Sequence, residues 1–222
     1  MGLHFFIKLY TIDDMIKDVF ITDNRLTFTK ILEKELKQQG YAVTLTSDTN
    51  TDNAIAWNKT SPFALQHIHI YLKNRNQALK TAIIIFDAIE YAKLYSSDSL
   101  IATDNTCTEL ISAYVNLTYI LQTRILKQHD GRLIFVLRMN EDNSYTENTA
   151  VTVASSAFMR LAENTSLLLN SKKIAQVQSL LVKLDNPDES SAKWLVSQLD
   201  LSVLTRTVGK WVKAGQRGLF AK

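Results

Sequence analysis

The chain has 222 residues, the length of one α/β domain, and its 46% hydrophobic content is enough for a buried core. The formal net charge is only +3, and the late cations Arg206, Lys210, Lys213, Arg217 and Lys222 are spread out like a solvated edge, so a nucleic-acid surface is not expected. Cys107 is the one cysteine and can close no internal disulfide, which fits a reducing, cytoplasmic setting; no window reaches the roughly 20 apolar residues that span a bilayer.

In chain order, residues 1–17 read as an N-terminal extension without a secretory or myristoylation pattern. "DVFITD" is a buried-strand run. From Leu26 to Gln39, Leu26, Ile31, Leu32 and Leu36 fall at helical spacing, and Gly40 is a C-terminal stop. "YAVTLTS", "HIHIYL" and "TAIIIFDA" read as three further strands. The connection between the last two, "KNRNQALK", is too short for an ordinary crossover helix. Thr106 to Lys127 is helical, with Leu110, Tyr114, Leu117, Leu121 and Ile125 on one stripe. "RLIFVLRM" is a strand introduced by Gly131, and Thr149 to Leu169 is a helix. "AQVQSLLVKL" is a strand, "SSAKWLVSQL" a short helix and "GKWVKAG" a closing strand. Continuous apolar strands between helices predict a three-layer, doubly wound parallel sheet of Rossmann type. No repeat or linker divides the chain, so 1–222 is expected to be a single domain, with its core over 18–215 and a tail at 216–222.

The stretches "VFITDNRLTFTKILEKELKQQGYAVTLTSD", "SAYVNLTYILQTRILKQHDGRLIFVLRM", "TAVTVASSAFMRLAENTSLLL" and "GKWVKAG" together resemble the short-chain dehydrogenase/reductase family, and in particular ketoacyl-carrier-protein reductases. The resemblance runs from about Val19 to Gly215. It implies a Rossmann-type core, an NAD or NADP cofactor, and a tyrosine–lysine pair supported by a serine and an asparagine. No motif of that set is intact. The family turn T-G-x-x-x-G-x-G falls on Thr22, Asp23, Asn24, Arg25, Leu26, Thr27, Phe28 and Thr29, so the three glycines are replaced by Asp23, Thr27 and Thr29. Such glycines make the turn tight and bring the diphosphate against backbone at a helix N-terminus, whereas threonine is bulky and poor at positive φ. An aspartate aimed at a phosphate about 4 Å away would cost about 4 kcal/mol at an effective dielectric of 20, with Arg25 offsetting part of it.

The resemblance places Thr152 at the tyrosine and Ser156 at the lysine. A threonine hydroxyl is a far weaker acid than a phenol, and serine carries no charge. None of the eight tyrosines has a lysine four residues on, so no shift of register restores the pair. Arg138 and Met139 stand near the serine position, and "FDAI" from Phe86 replaces the family's N-N-A-G. Asn116 matches the supporting asparagine; it reads either as a relic of the relay or as an amide bridging backbone within the sheet.

Other constellations carry less. His67 and His69, two apart on the expected strand, would share a face but lack a third metal ligand, so no metal is expected. Cys107 has no histidine at a recognisable spacing, and no hydrolase elbow or P-loop occurs. Asp104, Glu109, Asp142 and Glu147 read as caps or loop charges. The expected protein is a non-catalytic, reductase-like pseudoenzyme that binds no cofactor. The helices at 106–127 and 149–169, apolar and lined by Ala150, Ala154 and Ala157, would mediate a homodimer or pairing with an active reductase, in fatty-acid or polyketide-type metabolism by family analogy. The rival is an active NAD(P)-dependent oxidoreductase in which Arg25 holds phosphate and Tyr145 donates the proton. A third reading uses the vestigial cleft for a small ligand.

Overall fold

A computed structural model describes residues 17–49, 54–74, 79–95, 99–128, 130–139, 148–171, 177–201, 204 and 208–215. The chain enters the sheet at β1 (Asp18–Ile21), turns into α1 (Thr27–Gln38) and returns as β2 (Ala42–Ser47). Phe28, Leu32 and Leu36 are the buried stripe of α1. Gly40, at φ 80°, closes the helix with its amide on the Lys37 carbonyl, a backbone state glycine adopts freely. The first βαβ unit thus forms as the sequence predicts.

β3 (Ala54–Ala56) lies beside β2 and is followed by α2 (Pro62–Asn74) and the central strand β4 (Thr81–Asp87). "HIHIYL" is therefore the crossover helix and not a strand. Its period is helical: Ala64, Ile68 and Leu72 are buried at i, i+4 and i+8, while His67 and His69 are exposed. The true third strand, "AIA", is too short to register as a hydrophobic run. Parallel strands ordinarily need a long connection. Here Ala54 pairs with Leu45, close to the end of β2, so the chain drops back only about 7 Å at ~3.3 Å per residue.

Beyond β4 come α3 (Ala88–Leu94), α4 (Leu100–Cys107), a π-helical turn (Thr108–Ser112) and α5 (Ala113–Ile125). The predicted helix thus starts earlier than Thr106, capped by Ser99, and contains a π turn that no periodicity signalled. Its stripe from Leu110 to Ile125 is buried as expected. β5 (Arg132–Arg138), α6 (Thr149–Ser171), β6 (Gln178–Lys183), α7 (Glu189–Leu199) and β7 (Trp211–Lys213) follow as predicted.

All seven strands are parallel, in the order β3-β2-β1-β4-β5-β6-β7, with helices over the sheet. Every residue of β4 is buried, as a strand covered on both faces requires. α1 packs on α7, while α2 and α6 pack on α5. The strand order reverses between β1 and β4, so their carboxyl ends open a crevice where ligands bind in sheets of this type.

Candidate functional site

The crevice is organised by Asp23. It is the one non-glycine residue with positive φ among the described residues, at 52°, and aspartate tolerates that state. Thr27 and Thr29 instead lie in α1, so no threonine has to adopt a left-handed conformation. Thr29 is buried and donates its hydroxyl to the Thr22 carbonyl at 3.1 Å, tying helix to strand where the family turn has a glycine.

The Asp23 carboxylate does not face outward. It is 3% exposed and accepts five hydrogen bonds. Arg25 gives Nε to Oδ1 and Nη2 to Oδ2, each at 2.9 Å, and its backbone amide to Oδ1 at 3.2 Å. Lys59 Nζ donates to Oδ2 at 2.5 Å and the Tyr91 hydroxyl to the same oxygen at 2.6 Å. The repulsion expected between Asp23 and a phosphate is thus replaced by neutralisation from within. Burial alone would raise the Asp23 carboxyl; the charges of Lys59 and Arg25 overcome it and hold it well below the usual carboxylate range. Burial pulls the Lys59 ammonium below its ordinary value, with Asp23 opposing.

Lys59 is enclosed by rings. Its Nζ lies 4.9 Å from the centroid of Trp57, 5.2 Å from Tyr91 and 5.7 Å from Tyr114. Trp57 and Tyr114 meet edge to face at 5.3 Å. The Tyr91 and Tyr114 oxygens are 2.5 Å apart, and Tyr114 also lies 2.9 Å from the Ile85 carbonyl. The Tyr91 hydroxyl donates to Asp23 and the Tyr114 hydroxyl to the Ile85 carbonyl. The Ile85 carbonyl keeps a second donor in the Thr22 hydroxyl, at 3.4 Å. Burial raises both phenols well above their ordinary value, so neither is an acid suited to protonating a substrate near neutral pH.

α3 begins directly at the end of β4. Asp87 caps this helix through the amides of Ile89 and Glu90, each at 3.0 Å, and accepts Arg138 Nη1 at 3.1 Å. Arg138, expected near the family's serine, is thus an ion-pair partner. From the first turn of α3, Glu90 reaches the amide of Thr27 at 2.8 Å. Arg25 bonds Asp48 at 3.2 Å and approaches the Tyr95 hydroxyl at 3.5 Å, while Tyr95 donates to Glu109 and Asn148 donates to the Tyr95 carbonyl.

The remaining predicted residues lie apart from this hub. Asn116 is exposed on α5, so it does not bridge backbone inside the sheet; Tyr114, two residues earlier, takes the inward position. Thr152 and Ser156 are exposed on α6, and each bonds back to a carbonyl one turn earlier, of Asn148 and Thr152. The buried face of α6 is Val151, Ala154, Ser155 and Phe158, with Phe158 stacked on Phe86 at 5.0 Å. Asn24 holds the turn through its amide on the Thr46 carbonyl at 2.9 Å. His69 meets Arg124 at 3.1 Å, and among the described residues no group of three His, Cys, Asp or Glu could hold a metal. Tyr145 lies outside the described residues. Sequence reasoning missed Trp57, Lys59, Glu90 and Tyr91. Nothing marks Lys59 in "WNKT", because the carboxylate it serves lies 36 residues away.

This sheet order, with its crevice, is the fold of the short-chain dehydrogenases and reductases. A short-chain dehydrogenase from Streptomyces avermitilis superposes with a TM-score of 0.68 at 11% identity, over 91% of this chain and 89% of that one. A short-chain oxidoreductase from Brucella ovis, in complex with partially ordered NAD, gives 0.62 at 12% identity over 89% and 98%. The NADH-dependent enoyl-acyl-carrier-protein reductase of Aquifex aeolicus gives 0.62 at 12% over 89% and 94%. No family model matches the chain. In sequence the chain is 37% identical over 212 residues to an uncharacterized protein of Treponema pallidum (strain Nichols), covering 92% of this chain and 95% of that protein, and it belongs to one family with it. Among the described residues, no helix is long and apolar enough to cross a membrane.

One of these structures holds NAD, and at the corresponding turn of this chain the polar groups are already engaged. The α1 amide at Thr27 already bonds Glu90, Arg25 is held by two carboxylates, and the turn carries side chains where the diphosphate needs bare backbone.

Proposed function

We propose that the chain is a non-catalytic protein with a short-chain reductase fold that acts by association, as a homodimer or as the partner subunit of an active reductase. The observation that carries this reading is the Asp23 hub: five internal donors saturate the residue standing in the cofactor turn. Thr152 and Ser156 add neither a phenol nor an ammonium to the site. Association draws support from apolar side chains turned to solvent on α4, α5 and α6, with Leu100 89%, Tyr119 70%, Val153 52% and Val115 44% exposed.

Two measurements test it. Fluorescence titration with NADPH and NADH is expected to give no saturable binding, and tight binding would favour an active oxidoreductase, the reading that the NAD-bound Brucella relative by fold suggests. Sedimentation is expected to show a dimer or a recovered reductase partner, and a strict monomer with no partner would remove association.

A further inference from the structure

We infer that α3 supplies an internal surrogate for the missing cofactor, with the Glu90 carboxylate taking the place of a diphosphate oxygen at the start of α1. This deepens the non-catalytic reading and rests on it. The first turn of α1 has no anion of its own: its N-cap is Leu26, which offers no side-chain acceptor, and the turn contains no acidic residue. A helix start in that state leaves unpaired amides and partial positive charge. The anion comes from 63 residues away, as Glu90 Oε2 accepts from the Thr27 amide at 2.8 Å.

Glu90 is held for this task. Its own amide bonds Asp87, which Arg138 anchors in turn, so the side chain starts from a braced turn. It lies in the first turn of α3 while touching the start of α1, so it links the two helices. Arg25 stands two residues before Thr27 but is committed to Asp23 and Asp48, so its guanidinium does not draw Glu90 away from that amide. The chain thereby keeps the carboxylate–helix contact that joins the β4 end to α1 without a dinucleotide spanning them.

The test compares wild type, Glu90→Ala and Glu90→Gln by thermal unfolding, in inorganic pyrophosphate or in sodium chloride of equal ionic strength. Wild type is expected to be unmoved by pyrophosphate. Glu90→Ala is expected to melt about 2–4 °C lower, and pyrophosphate, but not chloride, to return at least half of the loss. Should Glu90→Ala not fold, Glu90→Gln carries the same test: its amide oxygen still accepts, so it loses less, and pyrophosphate restores that loss. An unchanged Glu90→Ala, a loss that pyrophosphate does not restore, or a wild type that pyrophosphate raises each overturns the surrogate. NADPH binding by wild type would overturn the non-catalytic reading itself, which separates the two failures.

Discussion

At the scale of the residue, the protein turns on how a buried carboxylate is satisfied. Asp23 and Lys59 are both almost fully buried, and removing one partner strands the other without solvent. Asp23→Asn keeps a side chain that tolerates positive φ but leaves Lys59 unpaired, so urea denaturation should show a loss of about 3–5 kcal/mol. Lys59→Met should cost less, because Arg25 and Tyr91 still serve the carboxylate. The pH dependence has a definite sign. The folded pKa of Asp23 lies below its ordinary value near 3.9. Its stabilisation is therefore whole above that value and is lost as pH falls through the folded pKa. The stability gap between wild type and Asp23→Asn should narrow as acid takes it below about 4. A gap that stays flat down to pH 2 would mean that the carboxylate is not held charged by the fold.

At the scale of the element, α3 and α5 decide what the crevice contains. Two residues past the π turn stands Tyr114, whose hydroxyl meets Tyr91 and the Ile85 carbonyl. Tyr114→Phe keeps the ring contacts with Trp57 and Phe86 and deletes only the hydroxyl, so a cost of about 1–2 kcal/mol in chemical denaturation is expected. Gly131 joins α5 to β5 under tighter restraint. A Cβ there would lie 2.5 Å from Ile125 Cγ2 and 2.6 Å from the Ile125 carbonyl oxygen. Backbone cannot yield as a flexible side chain can, so Gly131→Ala should cost about 1–3 kcal/mol by the same measurement. The strand-to-helix revision belongs at this scale too. "HIHIYL" carries isoleucines two apart, which suits a strand, but Ala64, Ile68 and Leu72 fit the helix that the crossover from β3 to β4 needs.

At the scale of the whole molecule, α4, α5 and α6 leave apolar side chains exposed, the face that the proposed association would use. Tyr119 is 70% exposed on α5, so Tyr119→Lys should leave the unfolding free energy within about 0.5 kcal/mol of wild type. Sedimentation of that variant should show weaker association if this face meets a partner. Unchanged association would move the interface elsewhere. The predicted sheet, its strand-by-strand sequence from β4 onward and the first βαβ unit were legible because apolar spacing is local and repeats within each element. The region between β2 and β4 was not, because β3 has three residues and its partner strand, rather than its own pattern, defines it.

Taken alone, the order of the residues puts Asp23, Thr27 and Thr29 in the first turn and follows no tyrosine with a lysine four residues on. It also set the polarity of Asp23, but left that carboxylate directed at an imagined phosphate. Only the folded chain decided its direction. Lys59, Tyr91 and, on the neighbouring helix end, Glu90 come from 36, 68 and 63 residues away from their partners. Hydrophobic periodicity is written within a single element, whereas a buried charge is satisfied by whichever donors the topology brings beside it.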